Sequence, residues 1–215
     1  MFTAREGMVW MRVRSLWLLA ACLLAPVVHA ASGPLGIDHE WSYDAHGVWS
    51  PGVQRGLELG AVVVEGAGAL WLGNDDPLGH QFWQAADSTV VAAAGAEVLK
   101  YTFSRARPNQ GDNPNRWFRG SCCESFPSGQ VTIQASFISP FVFNNYKEHP
   151  WIWLLEALPL YDSIARLKSQ EHWQTDVLAG WALGTATGYW ATTRNTPLLV
   201  EVLPGGLSVG FSKRF

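Results

Sequence analysis

Apolar residues along this chain gather in blocks of helical length, and strict alternation appears only near the C-terminus. Residues 56–71 are mostly small and apolar, with Glu58 and Glu65 as the only charges, and predict a buried helix. Asn74-Asp75-Asp76-Pro77 ends that segment, and Asp87-Ser88 reads as the cap of a second helix running to about Phe103. Residues 106–128 mix proline, glycine and polar side chains, a loop long enough to expect a function of it. Ser128 then caps a helix from Gly129 to about Asn144 or Asn145. His149-Pro150 opens an apolar segment to Lys168, and a last helix is expected from about Trp173 to Thr192, closed by Asn195-Thr196-Pro197. Residues 31–55 carry no sustained period and read as an irregular lead-in, and the alternating tail around Pro204-Gly205-Gly206 reads as a short β-hairpin. The expected fold is all-α: a helical bundle over 56–195, with 196–215 as a tail or hairpin.

The N-terminus adds a targeting signal. Arg12 and Arg14 precede the apolar run Leu16 to Val28, and Val28-His29-Ala30 supplies the small residues of a cleavage site, so residues 1–30 read as a signal peptide for export to the periplasm. Leu19-Ala20-Ala21-Cys22 offers a lipoprotein box as the alternative, which would change only the anchoring. No later segment is a clean membrane span of ~20 apolar residues. The stretch 151–167 carries Glu156, Pro159, Asp162 and Arg166. The 215 residues make about one domain, and 48% hydrophobic against 15% charged residues is ample for a core. A net charge of −3 without a basic block excludes a nucleic-acid partner, whereas 12 tryptophans favour contact with a membrane surface or a lipid. Cys122 and Cys123 are adjacent, which suits no zinc site and leaves a vicinal disulfide or two free thiols open. Oligomeric state leaves no signal.

Three segments carry chemistry. Lys100 and Arg107-Pro108 place two cations where a helix gives way to a loop. Phe126-Pro127-Ser128-Gly129-Gln130 feeds a helix N-terminus, and Arg166 lies six residues before His172, with Asp176 four after it. Lys100, Arg107 and Arg166 suit the oxygens of a phosphate group, and Ser128 with the backbone N–H groups around Gly129 suits an anion at a helix start. His172 and Asp176 share one face if helical, so the carboxylate would hold one imidazole nitrogen and leave the other free to attack phosphorus. Each segment alone is more often structural than catalytic; their conjunction reverses that balance. A metal on His172 and Asp176 is the weaker alternative, because no third ligand stands at a familiar spacing. No metal or cofactor is expected.

These segments resemble the type 2 phosphatidic acid phosphatase and vanadium haloperoxidase superfamily, which includes class A acid phosphatases and lipid phosphatases. Its pattern of Lys-x6-Arg-Pro, Pro-Ser-Gly-His and Ser-Arg-x5-His-x3-Asp is matched in spacing over about residues 87–191. The resemblance implies a helical bundle with its site at one end, phosphate held by Lys100, Arg107, Ser128, Gly129 and Arg166, and a phosphohistidine on His172 supported by Asp176. It implies a phosphatase acting on phosphomonoesters, lipid phosphates or pyrophosphates. Ala165 stands where the family has serine. Gln130 stands where the family has the histidine that protonates the leaving group, and glutamine cannot do so. Three readings follow: good leaving groups such as pyrophosphates, a proton from Glu124, His149 or Glu171, or a weak or inactive phosphate- or phospholipid-binding member. Haloperoxidase activity is disfavoured, because it uses the same histidine. In the loop, Trp117 and Phe118 with Arg116 and Arg119 read either as a lip for an anionic amphiphile or as packing onto the bundle.

Overall fold

Five α-helices carry most of the residues described by the computed structural model, which are 33–195 other than 112, 121 and 122, with the backbone of two short strands beyond. They are α1 (Pro51–Leu72), α2 (Pro77–Phe103), α3 (Gly129–Asn145), α4 (Ala157–Lys168) and α5 (Gln174–Thr192). A 3-10 segment, Pro150–Glu156, leads into α4. In the tail, Glu201–Leu203 pairs antiparallel with Gly206–Ser208, Val202 opposite Leu207, as a short hairpin. The expected export segment, Cys22 and Cys122 lie outside the described residues. Cys123 is disulfide-bonded. No described helix is long and apolar enough to cross a membrane.

Two helix starts differ from expectation. Helix α1 begins at Pro51, inside the expected lead-in, because Ser50 accepts a hydrogen bond from the Val53 N–H and Pro51 needs no donor at the first helical position. Helix α2 begins at Pro77, since both oxygen acceptance by Asp76 from the Leu78 and Gly79 N–H groups (2.8 Å each) and a proline at the first position favour it. Asp87 and Ser88, read from the sequence as that cap, lie buried in mid-helix, with Ser88 donating to Thr187 of α5.

Helix α1 is also not buried. Only Gln54, Ala61, Glu65 and Ala69 are buried, while Val53, Leu57, Leu59, Val62, Val63, Val64, Leu70 and Trp71 are exposed, Trp71 at 89%. A segment that is apolar all round has no phase from which its inner face can be read, so composition alone suggested burial.

The core lies where α3 meets its neighbours. Phe137, Ile138, Phe141 and Val142 of α3 pack with Ala61, Ala85 and Ile152, and Phe82 meets Phe141 edge-on at 4.9 Å. Helix α5 lies close along α3 because glycines face it: a Cβ at Gly180 would stand 2.6 Å from the Ser128 carbonyl oxygen, and one at Gly184 2.5 Å from that of Thr132. This approach sets the N-termini of α3 and α5 side by side, and the Ser128 N–H donates to the Asp176 carbonyl at 3.0 Å. The second and third sequence segments meet there.

Candidate active site

A cavity of about 530 Å³ opens between the N-terminal part of α1, the C-terminal part of α2 and the start of α3. Lys100, Arg107, Gly129, Gln130, Arg166 and His172, all singled out from the sequence, line it together. Ser128 and Asp176 are fully buried and stand beside it without lining it.

The cations arrive from three elements. Lys100 projects from the last turn of α2, and its ammonium stands 3.1 Å from where a Cβ on residue 129 would be, so a glycine there lets the charge approach the start of α3. Arg107 follows α2 in extended backbone, and Arg166 sits in the last turn of α4. Each is paired with a carboxylate: Lys100 with Glu97 at 2.6 Å, and Arg107 and Arg166 both with Oε2 of Glu171. Glu171 thus holds both arginine forks, as an anion between them would. Arg166 also donates to Gln54 at 3.2 Å. Among the described residues the buried Ser128 hydroxyl has no hydrogen-bond partner, an orphaned donor next to the start of α3.

His172 precedes α5 rather than riding on it, so the expected shared helical face with Asp176 does not form. Its Nδ1 lies 2.6 Å from the backbone carbonyl of Ser125, whereas the nearest Asp176 oxygen is 3.9 Å away. A carbonyl only accepts, so Nδ1 carries the proton and Nε2 keeps its lone pair. Asp176 therefore acts one step out: its carboxylate accepts from the Ser125 hydroxyl (2.5 Å), the Trp173 N–H (2.8 Å) and Arg105 (2.5 Å). It fixes the segments on either side of the imidazole. Burial, together with Arg166, Arg107 and Lys100, holds the His172 pKa well below its usual range, so the ring stays neutral at neutral pH. Burial pushes Asp176 up to about 6 against the pull of Arg105, which leaves it ionised at neutral pH.

Arg105 was not legible as a functional residue. It is fully buried, donating to Asp38 (2.5 Å), Thr175 (2.7 Å), Asp176 and the Pro114 carbonyl (2.7 Å), with its guanidinium 4.4 Å over Trp117. Asp38 comes from the supposed lead-in and also accepts from the Thr175 N–H. The sequence offered no signal for this: Arg105 and Arg107 are two apart, and a regular extended chain would put both on one face, yet one enters a closed centre and the other the cavity. Trp117 belongs to that packing, meeting Phe103 and Phe126 edge-on, while Phe118 is exposed. Of the residues considered as proton donors, Glu171 lines the cavity, and Glu124 and His149 are exposed outside it. Glu58 of α1 was missed; it lines the cavity and accepts from the Gln130 amide at 2.8 Å. Its isolation as a charge in an apolar helix was the clue. Among the described residues no group of three or more His, Cys, Asp or Glu side chains is arranged to hold a metal.

Comparison with known proteins agrees with the motif pattern. The family model "PAP2 superfamily" matches residues 81–197. The chain is 31% identical over 100 residues to an undecaprenyl-diphosphatase of Sulfolobus acidocaldarius, covering 46% of this chain and 47% of that one. It is 28% identical over 110 residues to a lipid A 1-phosphatase of Porphyromonas gingivalis, covering 48% and 22%. The chain thus spans about half or less of the length of these curated relatives. A transmembrane phosphatidylglycerolphosphate phosphatase of Bacillus subtilis superposes with a TM-score of 0.49 at 20% identity, over 69% of this chain and 77% of that one.

Proposed function

The chain belongs to the PAP2 superfamily, and on that premise we propose that it is an exported phosphatase that hydrolyses phosphate esters or pyrophosphates through a phosphohistidine on His172, without a metal. The observation that carries this reading is a neutral imidazole with an unprotonated Nε2 in the same cavity as Lys100, Arg107 and Arg166. A phosphate entering the cavity takes the place of Glu171 on the two arginine forks, with Lys100, the Ser128 hydroxyl and the α3 N-terminus completing its shell. Nε2 then attacks phosphorus while the cations stabilise the equatorial oxygens of the transition state, and water hydrolyses the phosphohistidine. Asp176 is a positioning residue, acting through Ser125 and Trp173.

A lipid phosphate or isoprenoid pyrophosphate is the favoured substrate class. The names of the two curated relatives point that way. So does the run of exposed apolar side chains on α1, which flanks the cavity and fits contact with a membrane surface. One observation favours the second reading, a weak or inactive phosphate- or phospholipid-binding protein: Gln130 lacks a titratable proton.

The test is phosphate release by the full chain in chelator from an aryl phosphate, a pyrophosphate and phosphatidic acid, beside His172→Ala. Chelator-resistant release, an acid-labile and base-stable phosphoenzyme, and loss of both in the variant are expected. Phosphate binding without any turnover would favour the binding protein.

A further inference from the structure

Resting on the hydrolase reading, we infer that Glu58 is the general acid of this site and that Gln130 is the residue that aims it. Glutamine at 130 can donate a hydrogen bond but cannot protonate an alkoxide, so an oxyacid must stand within reach if esters with poor leaving groups are to be cleaved. Three carboxylates line the cavity. Glu97 is ion-paired to Lys100 at 2.6 Å, and Glu171 to Arg107 and Arg166, so two of the three are engaged by cations. Glu58 is bonded instead by a neutral amide: Nε2 of Gln130 donates to its Oε2, leaving Oε1 without a hydrogen-bond partner among the described residues. Oε1 is thus the oxygen open to carry a proton and hand it to a departing group.

The roles balance over the cycle. Nε2 of His172 forms the bond to phosphorus as the phosphorus–oxygen bond to the leaving group breaks, and the Oε1 proton of Glu58 goes to the departing oxygen. The alcohol leaves neutral and Glu58 becomes a carboxylate. In the second step that carboxylate takes a proton from the water that attacks phosphorus. The phosphorus–nitrogen bond breaks, its electron pair returns to Nε2, and Glu58 is again protonated when phosphate departs.

Leaving-group dependence tests this. In Glu58→Gln, kcat/KM for an alkyl ester such as glycerol phosphate is expected to fall ~10²–10⁴-fold, and for nitrophenyl phosphate less than ~10-fold. Adding Gln130→His to Glu58→Gln is expected to restore most of the alkyl-ester activity, because an imidazole at 130 then carries the proton. Equal losses on the two esters, or no loss on either, in a variant with wild-type melting behaviour would overturn the assignment alone. A wild-type chain that releases phosphate from neither ester would overturn the hydrolase reading, and this assignment with it.

Discussion

Arg105 and Arg107 stand two residues apart and serve opposite ends. Around Arg105 every strong polar group has a partner: Asp38, Thr175, Asp176, Ser125 and the Pro114 carbonyl form a closed, fully buried network. Around Arg107 the charges sit at a cavity, resting on Glu171, with the Ser128 hydroxyl unpartnered nearby. A closed network holds its members in one geometry, because breaking any bond strands a buried charge. An incompletely satisfied one is ready to exchange partners. The first centre fixes the two segments that clamp His172, and the second presents its cations to the cavity.

The largest expected effect breaks the closed centre. Arg105→Met leaves Asp38 and Asp176 buried without their cation, and should cost ~3–5 kcal/mol in denaturant unfolding. Arg107→Ala should do the reverse, lowering kcat/KM by ~10²–10³-fold while changing stability by less than ~1 kcal/mol, which kinetics and melting on the same preparation would separate. If both variants lost stability alike, the division between the two centres would be wrong.

Glu65, the inward carboxyl of α1, belongs to neither centre and sharpens the contrast through pH. Burial, partly offset by the Thr89 hydroxyl, pushes it up to about 7. Between pH 4.5 and 7 the fold keeps a proton that the unfolded chain has released, so its contribution is present on the acid side and is lost as pH rises through that window. Asp162 and Glu156 are likewise pushed up to about 7 by burial. His172 acts in the opposite sense, since its depressed pKa costs stability only as pH falls below its ordinary 6.5. Glu65→Gln should therefore raise stability at pH 8 by ~2–3 kcal/mol and flatten the profile between pH 5 and 8. Ser128→Ala gives the smallest shift: a change in stability within ~1 kcal/mol, because no bond is lost, with a measurable rise in the dissociation constant of inorganic phosphate.

Much of the fold was legible because its local signals are strong. The Ser128 start of α3, the ends of α4 and α5 and the polar break after α1 follow from residues acting on their own backbone. The starts of α1 and α2 were misread because Ser50-Pro51 was taken into the irregular lead-in and Asp76-Pro77 was read as the end of one helix rather than the cap of the next. The inward face of α1 was not legible, since an apolar segment with two glutamates carries no phase. Of the site, Lys100, Arg107, Gly129, Gln130, Arg166 and His172 were all found by spacing, and they line one cavity. The direct holder of His172 was not found, because it is a backbone carbonyl, and every residue has one.

By itself, then, the sequence determined which side chains are the candidates for chemistry, since the spacing of cations around Pro108, Ser128 and His172 is a property of the chain alone. Only the tertiary structure decided which groups touch. It set Ser125 rather than Asp176 against the imidazole, drew Asp38 from the supposed lead-in to Arg105, and brought Glu58 from α1 to Gln130 on α3. Those pairs are separated by 47 to 72 positions along the chain. Hydrogen bonds reach only about 3 Å, so pairs that far apart in sequence meet only where the packing of α1, α3 and α5 brings their backbones together.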